Sequence, residues 1–333
     1  MEHWLALRRI AVTNLTALLA SRRLVGGLVL ALGFLVASEL GCRALGLHTP
    51  VLYETTTYGY RVQPDQDIRR FGHHIFYNSF GMRSQPTTAM PAAGIVRVLC
   101  VGDSVTNGGS TTDQVDTYPY VLADMLRAMG RRSEVLNASA PGWATANEAG
   151  WLREHGTYGS RVVILTISTH DLFQPAEGPE TVGSTPSFPG HAPHLGLEDF
   201  FTHYFLPWLT KRTFADPGVD MGAEKLIPVE AAVENILFAA ETAKRQGATP
   251  FLLFVEQPAE LERADPQVAH AKIYLFETLQ ARRIGFASTR KAMSESGPTP
   301  LFRDGLHPNV AGNRVVAQVA LQMIASSILA PAK

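Results

Sequence analysis

Ser104, Asp304 and His307 have the residue types and spacing for nucleophilic acyl chemistry. Ser104 closes the triplet Gly102-Asp103-Ser104, which follows directly on the apolar run VRVLCV at 96–101. A serine at the C-terminal end of a parallel strand lies where open α/β sheets present reactive groups. Gly102 lets the chain turn sharply. A helix or turn opening at Ser104 leaves backbone N–H groups available to an oxyanion. Asp304 and His307 stand three apart, just before Pro308-Asn309 and a last helical pattern. That spacing sets a carboxylate against an imidazole, fixing its tautomer and stabilising the imidazolium formed when the ring takes a proton. Each signal alone has an ordinary structural reading: a turn for the triplet, and a helix start for the Asp/His pair. Together they bracket about 200 residues of alternating strand and helix, the size of one domain.

The elements that must position these residues follow from hydrophobic patterning. The run at 96–101 is β-branched and continuous, as expected of a strand buried on both faces. A helix is predicted over 118–129, with Leu122, Met125, Leu126 and Met129 at helical spacing. Strands are predicted at 135–137, 162–167 (VVILTI), 250–255 (PFLLFV) and 284–287, and helices at 147–155, 228–246, 270–283 and 309–329. This alternation predicts an α/β fold with a parallel sheet covered on both faces. Residues 174–228 break the alternation as an insertion, rich in Pro and Gly at 174–190 and in aromatics at 195–214. Following the C-terminal end of a strand, it should lie over the ligand-binding edge. Residues 48–94 read as polar and irregular, with the pair His73-His74 in a solvated loop.

The chain carries 29 Lys plus Arg against 30 Asp plus Glu, a formal charge of -1, so it has no global field for nucleic acid. Two cysteines exclude a disulfide scaffold and a cysteine-built zinc site. With 46% hydrophobic and 18% charged residues, disorder is excluded. Mean hydropathy is +0.02, and part of the apolar excess is local. Residues 24–42 (LVGGLVLALGFLVASELGC) nearly span a bilayer core of about 30 Å. Arg8, Arg9, Arg22 and Arg23 place the N-terminus in the cytoplasm and the rest outside. A cleaved signal peptide, ending at Ala44-Leu45-Gly46, is the competing reading; the long lead before the apolar run favours an uncleaved anchor. A lipoprotein at Cys42 is disfavoured by Glu39, and residues 1–20 are only loosely amphipathic. The expected division is therefore 1–23 cytoplasmic, 24–42 transmembrane, 43–94 an extracytoplasmic extension and 95–330 catalytic. His191, His194 and His203 lack acidic companions at ligand spacing and predict no metal site.

With Val101-Gly102-Asp103-Ser104 near the start of the α/β region and Asp304-x-x-His307 before its last helix, the chain resembles the SGNH, or GDSL-type, hydrolases. The resemblance implies a three-layer, flavodoxin-like fold, Ser104 as nucleophile, His307 as general base and Asp304 as its orienting partner. The segment Asn137-Ala-Ser-Ala-Pro-Gly142 is similar to the family's second block and implies an oxyanion-hole N–H at Gly142, beside that of Ser104. The third block, Gly-x-Asn-Asp in the family, reads Ser168-Thr169-His170-Asp171 here. His170 replaces the asparagine that donates to the oxyanion. A neutral imidazole can still donate one N–H; altered chemistry such as transfer, or a weakly catalytic binding module, are the other readings. The intact Ser104, Asp304 and His307 argue against the last. Trp143 and Asp171 are further candidates for substrate contact. Upstream, Tyr77-Asn-Ser-Phe-Gly-Met-Arg83 resembles a membrane-anchored bacterial subgroup linked to envelope or exopolysaccharide functions. The expectation is an inner-membrane serine esterase with a periplasmic catalytic domain, acting on O-acetyl groups of a polysaccharide and needing no metal or organic cofactor. An O-acyltransferase, a lipid esterase and a non-catalytic carbohydrate-binding or assembly protein are the alternatives.

Overall fold

The computed structural model describes residues 2–210, 226–263, 265–296 and 300–329, with side chains from Arg22 onward. Helix α1 (Glu2–Ala44) is continuous, so the two N-terminal stretches read separately in the sequence form one rod. Its Arg22–Ala44 part is long and apolar enough to cross a membrane, and Leu24, Leu30 and Phe34 on it are exposed.

The segment expected to be irregular instead forms two antiparallel hairpins. Strand β1 (Tyr53–Thr56) pairs with β2 (Gly59–Val62), and β3 (Gln66–Arg70) with β4 (His73–Tyr77). His73 and His74 therefore lie in a strand, where His74 Nε2 meets Asp67 at 2.7 Å. Strands of four or five residues are too short to print a clear period. Burial still alternates, with Ile68, Arg70, Ile75 and Tyr77 turned inward.

The sheet proper starts with β5 (Val96–Gly102), followed by α2 (Ser104–Asn107), α3 (Tyr118–Ala128), β6 (Ser133–Ser139), α4 (Thr145–His155) and β7 (Val162–Ile167). A helical segment then comprises α5 (Gly196–Asp199), π-helical turns at Phe200–Phe205 and α6 (Leu206–Thr210). Helix α7 (Val229–Arg245), β8 (Thr249–Phe254), α8 (Pro258–Glu262), α9 (Pro266–Ala281), β9 (Gly285–Ser288), α10 (Arg290–Glu295) and α11 (Val310–Leu329) complete the chain. The tail of the aromatic stretch, 211–214, lies outside the described residues.

All neighbours in the sheet are parallel, in the order β6-β5-β7-β8-β9. Alternate strand residues enter two cores, as a period of two requires. Leu99, Val101, Val163 and Leu165 pack with α4, α7 and α9, whereas Val98, Cys100, Val162 and Ile164 pack with α3 and α11. The result is a three-layer sandwich. Its strand order reverses at β5, which opens a crevice between the C-terminal ends of β5 and β7.

Gly102 ends β5 where no side chain fits. A Cβ there would meet Thr106 Oγ1 at 2.2 Å and the Thr166 carbonyl oxygen at 2.9 Å. Gly102→Ala should therefore destabilise the protein by about 1–3 kcal/mol, the usual cost of overpacking. Thermal unfolding in detergent should report this as a lowered midpoint, and an unchanged midpoint would contradict the close packing.

Candidate active site

Strand β5 delivers Asp103 and Ser104 to the crevice. Asp103 Oδ1 accepts from the Val105 N–H at 2.9 Å and caps α2. Ser104 is the first residue of that helix and is 5% exposed.

The loop before α11 brings His307 over Ser104. Asp304 Oδ1 accepts from the N–H groups of Leu306 (2.8 Å) and His307 (2.7 Å), so the carboxylate shapes its own turn. Asp304 Oδ2 lies 2.9 Å from His307 Nδ1, and His307 Nε2 lies 2.9 Å from Ser104 Oγ. Burial opposes charge on Asp304, but the two N–H groups and the adjacent imidazole outweigh it and hold its carboxyl below the usual range. An ionised Asp304 takes the Nδ1 proton of a neutral ring as a hydrogen bond, leaving Nε2 to accept from the Ser104 hydroxyl. This arrangement can draw a proton from a serine and stabilise the resulting imidazolium.

Two arginines lock the loop that follows α2. Arg83 is buried and donates to the carbonyls of Asn107 (2.7 Å), Gly109 (2.7 Å) and Thr112 (2.6 Å). Arg303 donates to the Gly108 carbonyl (3.2 Å) and Thr112 Oγ1 (2.6 Å), tying the His307 loop to the Ser104 loop. Neither arginine was singled out by sequence as a site-builder, because main-chain acceptors leave no side-chain signature.

Gly142 adopts φ +79° beside the crevice. A Cβ there would lie 2.7 Å from Tyr60 Oη. The N–H groups of Gly142 and Ser104 have no hydrogen-bond partner among the described residues.

His170, expected as an oxyanion donor, lies at the wall of the cleft. Its Nε2 lies 3.1 Å from Asp103 Oδ2 and 3.4 Å from Asp171 Oδ1, and its Nδ1 lies 3.3 Å from Gln257 Nε2. In the neutral ring the single N–H points at Asp103 and Nδ1 accepts from Gln257, so both nitrogens are engaged by protein. Trp143 and Asp171 are not among the residues that line the cleft. Trp143 is 1% exposed and donates from Nε1 to the Tyr60 carbonyl at 2.8 Å, a packing role. Asp171 is fully buried and accepts from the Ser168 N–H at 2.7 Å.

Asp103, His170 and Asp171 offer ligand atoms within 4.8 Å of one another, and they form the only such group of three among the described residues. Burial, opposed by His170 and reinforced by Asp103, pushes Asp171 up to about 7. Burial, with Asp171 and Asp103 nearby, also holds Glu148 well above the usual carboxylate range.

A cleft of about 610 Å³ opens at the site. His307, Asp304, His170, Asn107 and Gln257 line its polar end, and Tyr53, Tyr77 and Phe188 line its sides. His203 also faces it, whereas His191 and His194 do not. Asn107, which sequence reasoning missed, accepts from the Tyr77 hydroxyl at 3.1 Å and donates to the Ser139 carbonyl at 3.1 Å.

The fold is the α/β fold of SGNH hydrolases. Residues 100–315 match the family model described as GDSL-like Lipase/Acylhydrolase, and the chain belongs to that family. No curated protein sequence matches the chain. Among solved structures it is similar to TesA (16% identity, TM-score 0.45, covering 69% of this chain and 99% of that one). It is also similar to a catalytic mutant of the acetylxylan esterase Axe2 from Geobacillus stearothermophilus (16%, TM-score 0.44, 69% and 94%). A third is the psychrotrophic esterase EstA from Pseudoalteromonas sp. (12%, TM-score 0.43, 70% and 99%).

Two outcomes follow from this geometry. Arg83→Lys keeps the charge but not the fork that reaches three carbonyls, and should cost about 2–3 kcal/mol of stability. Its turnover should fall with the loosened loop; wild-type stability and turnover in this variant would dismiss the clamp. For Asp171, the folded protein holds a proton up to about pH 7, whereas its ordinary value is 3.8. Between these values the folded state binds more protons, so stability falls as pH rises. Asp171→Asn removes that loss. Its melting temperature should gain on wild type between about pH 4 and pH 7, the interval between those two values, and a pH-independent difference would refute the buried proton.

Proposed function

We propose that the protein is a serine ester hydrolase working through Ser104, His307 and Asp304. The observation that carries this reading is the continuous Asp304–His307–Ser104 relay, with 2.9 Å at each step. Ser104 Oγ attacks the ester carbonyl carbon while its proton passes to His307 Nε2, and Asp304 stabilises the imidazolium. The N–H groups of Ser104 and Gly142 receive the developing oxyanion. Collapse of the tetrahedral intermediate breaks the bond to the alcohol, which leaves with the proton from His307. Water, deprotonated by the same ring, then releases the carboxylic acid from the acyl-serine.

The substrate we infer is an O-acyl, first an O-acetyl, group on an envelope or exopolysaccharide glycan. The cleft volume of about 610 Å³ exceeds an acetyl group and leaves room for a sugar beside Tyr53 and Phe188. Helix α1 is the proposed membrane anchor, its basic N-terminal side cytoplasmic and the catalytic domain on the opposite face. The packing of its last turns supports an uncleaved anchor: Glu39 accepts from the N–H groups of Gly196 (3.0 Å) and Leu197 (2.9 Å).

Ser104→Ala should lower kcat/KM on p-nitrophenyl acetate by roughly 10⁴–10⁶-fold while leaving the melting temperature unchanged. A fluorophosphonate probe should label wild type at Ser104 and leave the variant unlabelled. Activity retained in Ser104→Ala would sink the mechanism. Acetate release from an acetylated oligosaccharide without any added acceptor distinguishes hydrolysis from transfer.

A further inference from the structure

The segment 200–210 (FFTHYFLPWLT) contains no Asp, Glu, Lys or Arg. It nevertheless presents a large apolar face to the outside. Phe201 is 45% exposed, Leu206 48%, Trp208 73% and Leu209 60%. Exposed apolar residues are ordinary when scattered, but a contiguous aromatic face marks an interaction surface. The opposite side of the segment is firmly seated. Asp199 and Arg70, both buried, pair at 2.8 Å, and Arg70 also donates to Tyr204 Oη at 3.1 Å. The exposed face is therefore held in place by a buried ion pair.

Its position identifies the occupant. Helix α5, immediately before the segment, is bound to the end of α1 through Glu39, and Arg43 donates to the His194 carbonyl at 3.0 Å. The apolar face thus follows directly on the helix that is bound to the end of α1, where Leu40 and Leu45 are also exposed. Aromatic residues, Trp and Tyr above all, concentrate at the headgroup level of bilayers. We propose that residues 200–210 lie in the membrane interface, with Phe201, Leu206, Trp208 and Leu209 inserted among the lipids.

Resting on the ester-hydrolase reading and on α1 as anchor, this placement also narrows the substrate class. His203, on the inward side of the segment, lines the cleft. A single helix width, about 10 Å, then separates the lipid-facing side chains from the cleft wall. The inferred substrate is an ester carried on a lipid anchor, and an acylated glycan attached to lipid satisfies both this and the proposed function.

The test uses the full chain reconstituted in phosphatidylcholine vesicles that carry lipids brominated near the headgroup or near the chain end. The Trp208 signal is the difference between wild type and Trp208→Phe. Headgroup-proximal bromines should quench it on the order of twofold, and deeper bromines less. A Trp208 signal quenched by neither bromolipid overturns the proposal. Acrylamide quenching would then place the face in water, and a dimer in detergent would place a second copy over it. In a second arm, Phe201→Glu combined with Leu209→Glu should leave p-nitrophenyl acetate hydrolysis unchanged. It should lower hydrolysis of an ester embedded in vesicles on the order of tenfold. Equal effects on both substrates overturn the lipid-carried substrate. Bromolipid quenching in a protein that hydrolyses neither ester would instead overturn the esterase reading and leave the docking intact.

Discussion

The turn from β5 into α2 begins at Gly102, where a side chain would lie 2.2 Å from Thr106 Oγ1. Everything in the site is referred to that turn. It ends the strand, so Asp103 is free to cap the helix that Ser104 begins. It aims Ser104 Oγ at the crevice where the strand order reverses, and that places it under a histidine 203 residues further on. The loop after α2 is held firmly as well. Arg83 and Arg303 supply that hold through main-chain carbonyls and a hydroxyl, and Arg303 Nε also lies 3.6 Å from Asp304 Oδ2.

Beneath the serine lies a group of acids that would repel one another if all were charged. Asp103, Asp171 and Glu148 are buried with His170 among them. A proton retained on Asp171 relieves the repulsion, and His170 gives Asp103 a donor. The histidine in the third motif is thus coupled to the residue before the serine. The main-chain N–H groups of Ser104 and Gly142 stay outside that coupling, with no hydrogen-bond partner among the described residues.

The β-branched run at 96–101, the Gly-Asp-Ser triplet and the Asp-x-x-His pair each carry a local signature, so the parallel sheet and the core of the site were legible in the sequence. What was not legible depends on non-local partners. The hairpins of 53–77 are too short for periodicity, and burial of Arg70 and Tyr77 looks polar on paper. The contacts of His170 with Gln257 and Asp103, which engage its two nitrogens, were not legible because those residues are distant in sequence. Trp143 beside a glycine turn suggested a binding surface, but its indole N–H is taken by the Tyr60 carbonyl.

The match to the family begins at residue 100, yet Tyr53 and Tyr77 line the cleft and Arg83 holds the loop beside Ser104. The cleft is therefore walled by residues from both inside and outside the matched stretch. Mutation or exchange of the hairpins can reshape the cleft without touching Ser104, Asp304 or His307. Relatives that share every catalytic motif with this protein can, for that reason, diverge freely in what they act upon.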